Sequence, residues 1–559
     1  MAHPTPANGH AAPHANGSAT ERTPLLNGDN SVPQDEEQTV VVEEIRGSKL
    51  YLILGTCYVG VFLGAIDATI IATLSAPIAS EFKSLSLLSW LATAYLIANA
   101  ACQPISGRLT DIFGRGPGLV FSNVFFAAGN LVCGLARDEG SMIAGRVIAG
   151  IGGGGLMAIS TFTASDLVPL RNRGVIQGVG NICYAGGAML GGLVGGLIND
   201  RTEMGWRLAF LLQVPPVLVS ACLVAYLVRI PPKISDKGYL ARIDFVGVFS
   251  LITFLVLLLL GLNAGGNIVP WSHPLILATL PLSVVALLCF IFWESRHKQP
   301  VIPVRLLLDR TVGMACMTNF LCTMVNFSIM FFVPYYLQVN GNSATQAGLV
   351  LLFGPIGVSF SSVGAGLIMK RTGKYLALGM ISVSLQVIAT IILVTLDEHT
   401  PKWHLMLAHL LLGAGMGAML TVTLLACLAA VDHSQQAVIT SATYAFRSVG
   451  STLGITVSSA VYQNVLLQQL WGRFGDLPGA ADEIQRIRDD IGEVRHLPPG
   501  WRDGVIASYM EAFRSVWFLV MALAVAALVA VSLLRQHKLH STMARTDEDG
   551  NDVEEAARE

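Results

Sequence analysis

GRLTDIFGRG, Gly107 to Gly116, sits between two long apolar runs, and an altered copy, GLIMKRTGK, occupies Gly366 to Lys374. In both copies two glycines stand seven apart with a cation directly after the second: Gly107, Gly114 and Arg115, then Gly366, Gly373 and Lys374. Asp111 of the first copy is replaced by Lys370. A charged loop repeated at matching places in two apolar halves suits a protein whose halves rock against each other. Gly107 allows close helix contact, Asp111 can pair with cations, and Arg115 can reach carboxylates or a helix C-terminus. Gly107, Asp111, Gly114 and Arg115 are therefore expected to form a conformational latch rather than a chemical site.

The apolar runs around these loops dominate the chain. Of 559 residues 53% are hydrophobic and 13% charged, and the mean hydropathy of +0.59 lies outside the soluble globular range. A spanning helix needs roughly 20 apolar residues. Fourteen runs qualify, near 50–73, 88–107, 117–136, 141–165, 174–198, 208–230, 244–263, 275–293, 312–338, 345–369, 375–396, 403–430, 437–466 and 510–534. The expected class is an all-α polytopic membrane protein. Cations such as Arg46, Arg108, Arg171, Lys233, Lys370 and Arg535 fall on alternate loops shared with both tails, which the positive-inside rule places in the cytosol.

The halves match beyond the loop. Arg146 precedes Gly150, Gly152 and Gly154 as His409 precedes Gly413, Gly415 and Gly417, and AGGAMLGG (Ala185–Gly192) parallels SVGSTLGI (Ser448–Ile455). The expected organisation is a disordered tail 1–45 without a signal peptide, a six-helix bundle 46–230, two inserted helices and linkers 231–311, and a second six-helix bundle 312–534. A non-cytosolic loop 467–509, carrying a short surface helix, lies within the second bundle, and a tail 535–559 follows. Repeats of this kind place a substrate site at their interface.

Asp67, in GAIDATI, is the acidic residue deep in the first run, where stranding a carboxylate costs roughly 2.5–3.5 kcal/mol. It reads either as a structural partner of Arg146 or as a proton or cation site; protonation would then release the arginine. Tyr95, Asn99, Gln103, Asn181, Tyr184, Asn326, Tyr335 and Gln338 are candidates to line a polar cavity, each with a helix–helix hydrogen bond as its alternative. Arg447 is the comparable cation of the second half, functional or merely snorkelling. The nine cysteines fall inside apolar runs without paired spacing, so neither a disulfide nor a metal framework is expected. GIGGGG satisfies G-x-G-x-x-G at Gly150, Gly152 and Gly155 but has no preceding strand, so its glycines read as helix contacts. No ATP-binding, metalloprotease or hydrolase motif is present. No catalytic residue, cofactor, metal or nucleic-acid partner is expected, and transport would run on an ion gradient.

GRLTDIFGRG resembles the loop signature between helices 2 and 3 of the major facilitator superfamily, and Arg146 with its glycines resembles that superfamily's helix 4 motif. The resemblance covers residues 46–540, and fourteen runs, with GAIDATI, GWRLAFLLQVP (Gly205–Pro215) and VPYYLQVNGNSATQAG (Val333–Gly348), look like its fourteen-helix drug:proton antiporter branch. That branch carries Gly-Pro in helix 5, whereas here Ala188 follows Gly187. Within the branch the pattern is most similar to fungal vacuolar basic amino acid transporters. That likeness implies exchange of Lys, Arg or His for protons at the vacuolar membrane, with Asp67 also a counter-ion for the substrate. A plasma-membrane xenobiotic exporter is the alternative. ERTPLL places Glu21 four residues before Leu25 and Leu26, an acidic dileucine pattern that sorting adaptors read. Expected partners are thus a cationic amino acid, protons, membrane lipid and an adaptor.

Overall fold

The computed structural model describes residues 47–82, 86–230, 243–265, 269–297, 304–342, 344–397, 400–432, 435–477, 479–489 and 500–539. All named elements among them are α-helices, the arrangement that satisfies every backbone hydrogen bond within each segment where water is absent. In order they are α1 (Ser48–Phe82), α2 (Ser86–Phe113), α3 (Arg115–Leu135), α4 (Glu139–Leu167), α5 (Leu170–Arg201), α6 (Trp206–Leu211), α7 (Val214–Leu227), α8 (Phe245–Ala264) and α9 (Pro274–Glu294). There follow α10 (Val304–Leu307), α11 (Arg310–Val339), α12 (Ala344–Leu351), α13 (Phe353–Thr372), α14 (Leu376–Val394), α15 (Lys402–Ala430), α16 (Gln436–Phe474), α17 (Ala480–Asp489) and α18 (Arg502–Ser532). Glu21, Leu25 and Leu26 lie outside the described residues.

Among the described residues twelve segments are long and apolar enough to cross a membrane. The other two long helices, α2 and α16, are more polar and pack on each other. Two of the fourteen runs are broken. The run 208–230 divides into α6 and α7 where Pro215 and Pro216, lacking N–H groups, restart the helix. The run 345–369 divides at Leu352 into α12 and α13, beside Gly354 and Pro355. The loop expected over 467–509 is shorter than its sequence suggests, because α16 continues to Phe474 and α18 begins at Arg502. Between them α17 turns Ile484 and Ile487 into the core, and the Tyr509 hydroxyl donates to the Ile487 carbonyl (2.7 Å).

Glycines set the helix spacing, and at the same offsets in each half. A Cβ on Gly150, Gly152 or Gly154 of α4 would collide with the main chain of Tyr95, Phe126 or Asn99, on α2 and α3. On Gly413, Gly415 or Gly417 of α15 it would strike Gly354, Ser382 or Val358, on α13 and α14 or beside them. Gly187 and Gly191 of α5 press on Phe62 and Ile66 of α1, just as Gly450 and Gly454 of α16 press on Phe320 and Met324 of α11. Small residues let backbones approach where lipid supplies no hydrophobic drive.

The two sets of helices meet across a seam on either side. On one, Gly107 of α2 lies against the Ala437 main chain of α16; on the other, Gly366 of α13 lies against Gly174 of α5. Both contacts sit at the end of the bundle that carries the Gly107–Gly116 loop, here the loop end. Both ends of the described chain are there too: Leu50 and Ile53 cluster with Val228 and Ala437, and Tyr375 donates to the Arg535 carbonyl (2.5 Å). The hairpin α8–α9 leans on one seam only. Leu251, Leu255 and Leu259 of α8 pack on Ile97, Ala100 and Ile105 of α2 and on Ala442 of α16, bridging both sets.

Candidate functional site

Asp67 of α1 and Arg146 of α4 are both 0% exposed and meet at 2.8 Å, Arg146 Nη1 donating to Asp67 Oδ2. Arg146 Nε donates to the Leu91 carbonyl (3.0 Å), and its guanidinium lies 4.3 Å from the centroid of the Tyr95 ring. Tyr95 in turn donates to the Gly64 carbonyl (3.3 Å). Gln213 also reaches the Asp67 carboxylate, and among the described residues Arg146 Nη2 has no hydrogen-bond partner, so this buried pair is incompletely satisfied. Breaking such a pair by removing one charge is expensive. From Glu139 to Arg146 is seven residues of α4, about 10 Å, which sets the pair toward the end opposite the loop.

At the loop end Arg115 is the hub. Its Nη2 meets Asp111 Oδ1 at 2.7 Å, its Nε meets Asp166 Oδ2 at 2.7 Å, and its Nη1 donates to Thr110 Oγ1 at 2.5 Å. Gly114, at φ +94, makes the turn that brings Arg115 back onto α2. Asp166 was absent from the sequence reading, where it passes for an ordinary loop-flanking charge. Cross-seam bonds complete the closure: Arg173 Nη1 to Gln436 Oε1 (2.7 Å), Arg171 Nε to the Lys370 carbonyl (2.7 Å), and Thr161 to Tyr444 (2.9 Å). An arginine donates across each seam, to a side-chain amide from Arg173 and to main-chain carbonyls from Arg171.

Between the two sets, on the loop-end side, lies a cavity about the size of one water. Gln177 of α5, Asn319 of α11, Thr423 of α15, and Thr443, Tyr444 and Arg447 of α16 supply its polar lining, and Leu420 and Leu424 its apolar part. Of the residues expected at a cavity, the structure places Arg447 in this lining. Asn181 adjoins it, taking a hydrogen bond from Gln177 (3.2 Å) and donating to Ser362 across the seam (2.7 Å). Tyr184, in electrostatic reach of Arg447, is 39% exposed and is not part of the lining. The rest stand elsewhere: Tyr95 is under Arg146, Asn99 accepts from Gln103 inside the first set (2.6 Å), Tyr335 packs edge-on against Tyr462, and Asn326 and Gln338 are half-buried on α11 away from the cavity. Gln177, Asn319 and Tyr444 were missed, although Gln177, Asn181 and Tyr184 share one helical face by their spacing.

A sequence profile described as the Major Facilitator Superfamily matches residues 57–455. The chain belongs to that superfamily. It is 37% identical over 536 residues to "Multidrug resistance protein fnx1" of Schizosaccharomyces pombe, covering 94% of this chain and 99% of that one. It is 31% identical over 511 residues to "Vacuolar membrane amino acid uptake transporter fnx2" of the same yeast, covering 90% and 87%. The proton:xylose symporter XylE shares the fold, with a TM-score of 0.56 at 15% identity over 86% of this chain and 95% of that one. This major facilitator protein is a multi-pass membrane protein of a transporter family. Among its described residues no group of three His, Cys, Asp or Glu side chains could hold a metal. Its nine cysteines are free, with Cys222 and Cys289 exposed rather than in the core.

Proposed function

We propose that this chain is a proton-coupled antiporter that moves basic amino acids (Lys, Arg, His) into an acidic vacuole by alternating access. The observation that carries it is the sealed pair of Asp67 and Arg146. Protonating the carboxylate removes one charge, frees the guanidinium and changes the energy of the arrangement that buries both. With 46–230 and 312–534 as the rocking halves, 231–311 as the insertion and both tails in the cytosol, the closed loop end is the cytosolic gate. Residues 467–509 then face the lumen. Glu21, Leu25 and Leu26 bind the sorting adaptor. The name of the fnx2 relative supports vacuolar amino acid uptake, and the hydroxyl, amide and guanidinium groups of the cavity suit a small polar solute. Uptake of radiolabelled lysine, arginine and histidine into vacuolar vesicles, with and without an uncoupler, tests this. Uncoupler-sensitive uptake is expected; absent or gradient-insensitive uptake of all three overturns it.

The name of the fnx1 relative favours a second reading, a plasma-membrane exporter of drugs. Alanine at both Leu25 and Leu26 separates the two: loss of vacuolar targeting supports the first, and an unchanged cell-surface location the second.

A further inference from the structure

We infer that Arg447 is the receptor for the carboxylate of the transported amino acid, an assignment that rests on the reading of this protein as an amino acid carrier. From Gln436 to Arg447 is eleven residues of α16, which sets the guanidinium about 16 Å in from the loop end of that helix. A cation at that depth needs an anion or a polar cavity. Among the described residues no carboxylate stands at ion-pair distance from Arg447, in contrast to Arg146 with Asp67 and Arg115 with Asp111 and Asp166. It rests instead on the Tyr444 ring, 4.1 Å from the centroid, and faces the water-sized gap between the two sets. Stacking on a ring occupies one face of the guanidinium and leaves its planar edge of N–H donors free, the edge that matches a carboxylate bidentately.

The rest of the lining fits the other end of a zwitterion. The Asn319 amide donates to the Ala315 carbonyl (2.9 Å) and the Gln177 amide to Asn181 (3.2 Å), which leaves both amide oxygens as acceptors. An α-ammonium between them sits beside a carboxylate on Arg447. Asp67, sealed against Arg146, is not part of this site. The carboxylate that selects amino acids and the carboxylate that titrates are therefore separate, one brought by the solute and one by the protein.

The test uses the full chain in proteoliposomes, with counterflow exchange of lysine, which needs no proton gradient. L-lysine, L-lysinamide and cadaverine compete in the wild type, in Arg447→Gln and in Arg447→Lys. Wild type should prefer lysine to the two molecules lacking a carboxylate by at least about tenfold, a bidentate contact being worth a charge-assisted hydrogen bond. Arg447→Gln should compress that ratio toward one, and Arg447→Lys should restore part of it. Equal competition by lysine and lysinamide in the wild type overturns the assignment whether or not the variants fold. If wild type exchanges none of the three basic amino acids, the transport reading fails by itself. Thermal stabilisation by a panel of organic carboxylates against their amides then decides: a preference lost in Arg447→Gln sustains the carboxylate site, and no preference removes it.

Discussion

The two sets of helices use one packing plan but carry opposite chemistry at equivalent depth. Gly187 and Gly191 touch Phe62 and Ile66, and Gly450 and Gly454 touch Phe320 and Met324, so the position answering to Asp67 is Val325. The glycine offsets likewise make His409 the counterpart of Arg146. One set thus buries an ion pair where the other buries a valine and a histidine, whose Nδ1 lies 3.1 Å from the Leu405 carbonyl and whose Nε2 has no partner. The second set closes an equivalent volume without a titrating acid. The scaffold is symmetric and the buried charge is not, so on the proposed reading a protonation at Asp67 acts on one half alone.

Asp67→Asn attacks that asymmetry most directly. Uptake driven by a pH gradient should fall to background and the melting temperature should drop because Arg146 is stranded, while counterflow, which needs no proton, survives in the folded protein; Val325→Asp with His409→Arg in the same background should not restore gradient-driven uptake. Gradient-driven uptake surviving in Asp67→Asn would dissolve the contrast between the halves. Gly366→Ala comes next, since its methyl meets the Gly174 main chain across the seam. Overpacking of about 1–3 kcal/mol should hold the loop end open and lower uptake roughly tenfold, with Gly364→Ala, which meets nothing within 4 Å, unchanged. Asp166→Asn removes one of the two carboxylates on Arg115 and should cost the first set about 1–2 kcal/mol, read as a lower melting temperature. Arg171→Gln, losing exposed main-chain acceptors, should stay within about 0.5 kcal/mol. The smallest effect is expected of His409→Leu: uptake unchanged, and a melting temperature level with wild type or slightly higher because an unpartnered nitrogen leaves the core.

Much of the helical plan was legible because it is written in periodic composition. Fourteen apolar runs correspond to long helical segments, and the glycine offsets of α4 and α15 answer to like contacts in space. The breaks at Pro215–Pro216 and beside Gly354–Pro355 were hidden because hydropathy averages over a window longer than the break. The meeting of Asp67 with Arg146 was legible because two opposite charges deep in the first and fourth apolar runs of one half have few other options. The cavity was not. A polar residue in a membrane helix serves a neighbouring helix as readily as a solute, and only the partner decides: Asn99 spends its oxygen on Gln103, while Asn319 and Gln177, no more conspicuous in the sequence, keep theirs.

The hairpin α8–α9 changes what surrounds this molecule as well as what is in it. Because α8 lies along both α2 and α16, protein stands on that flank where acyl chains would otherwise fill the groove between the halves. On the opposite flank, among the described residues, neither helix of the hairpin packs along α5 or α13 as α8 does along α2 and α16. Bilayer composition and thickness should therefore act on the opening and closing of this protein from one side, with sterols and chain length felt at the α5–α13 groove and muted at the other.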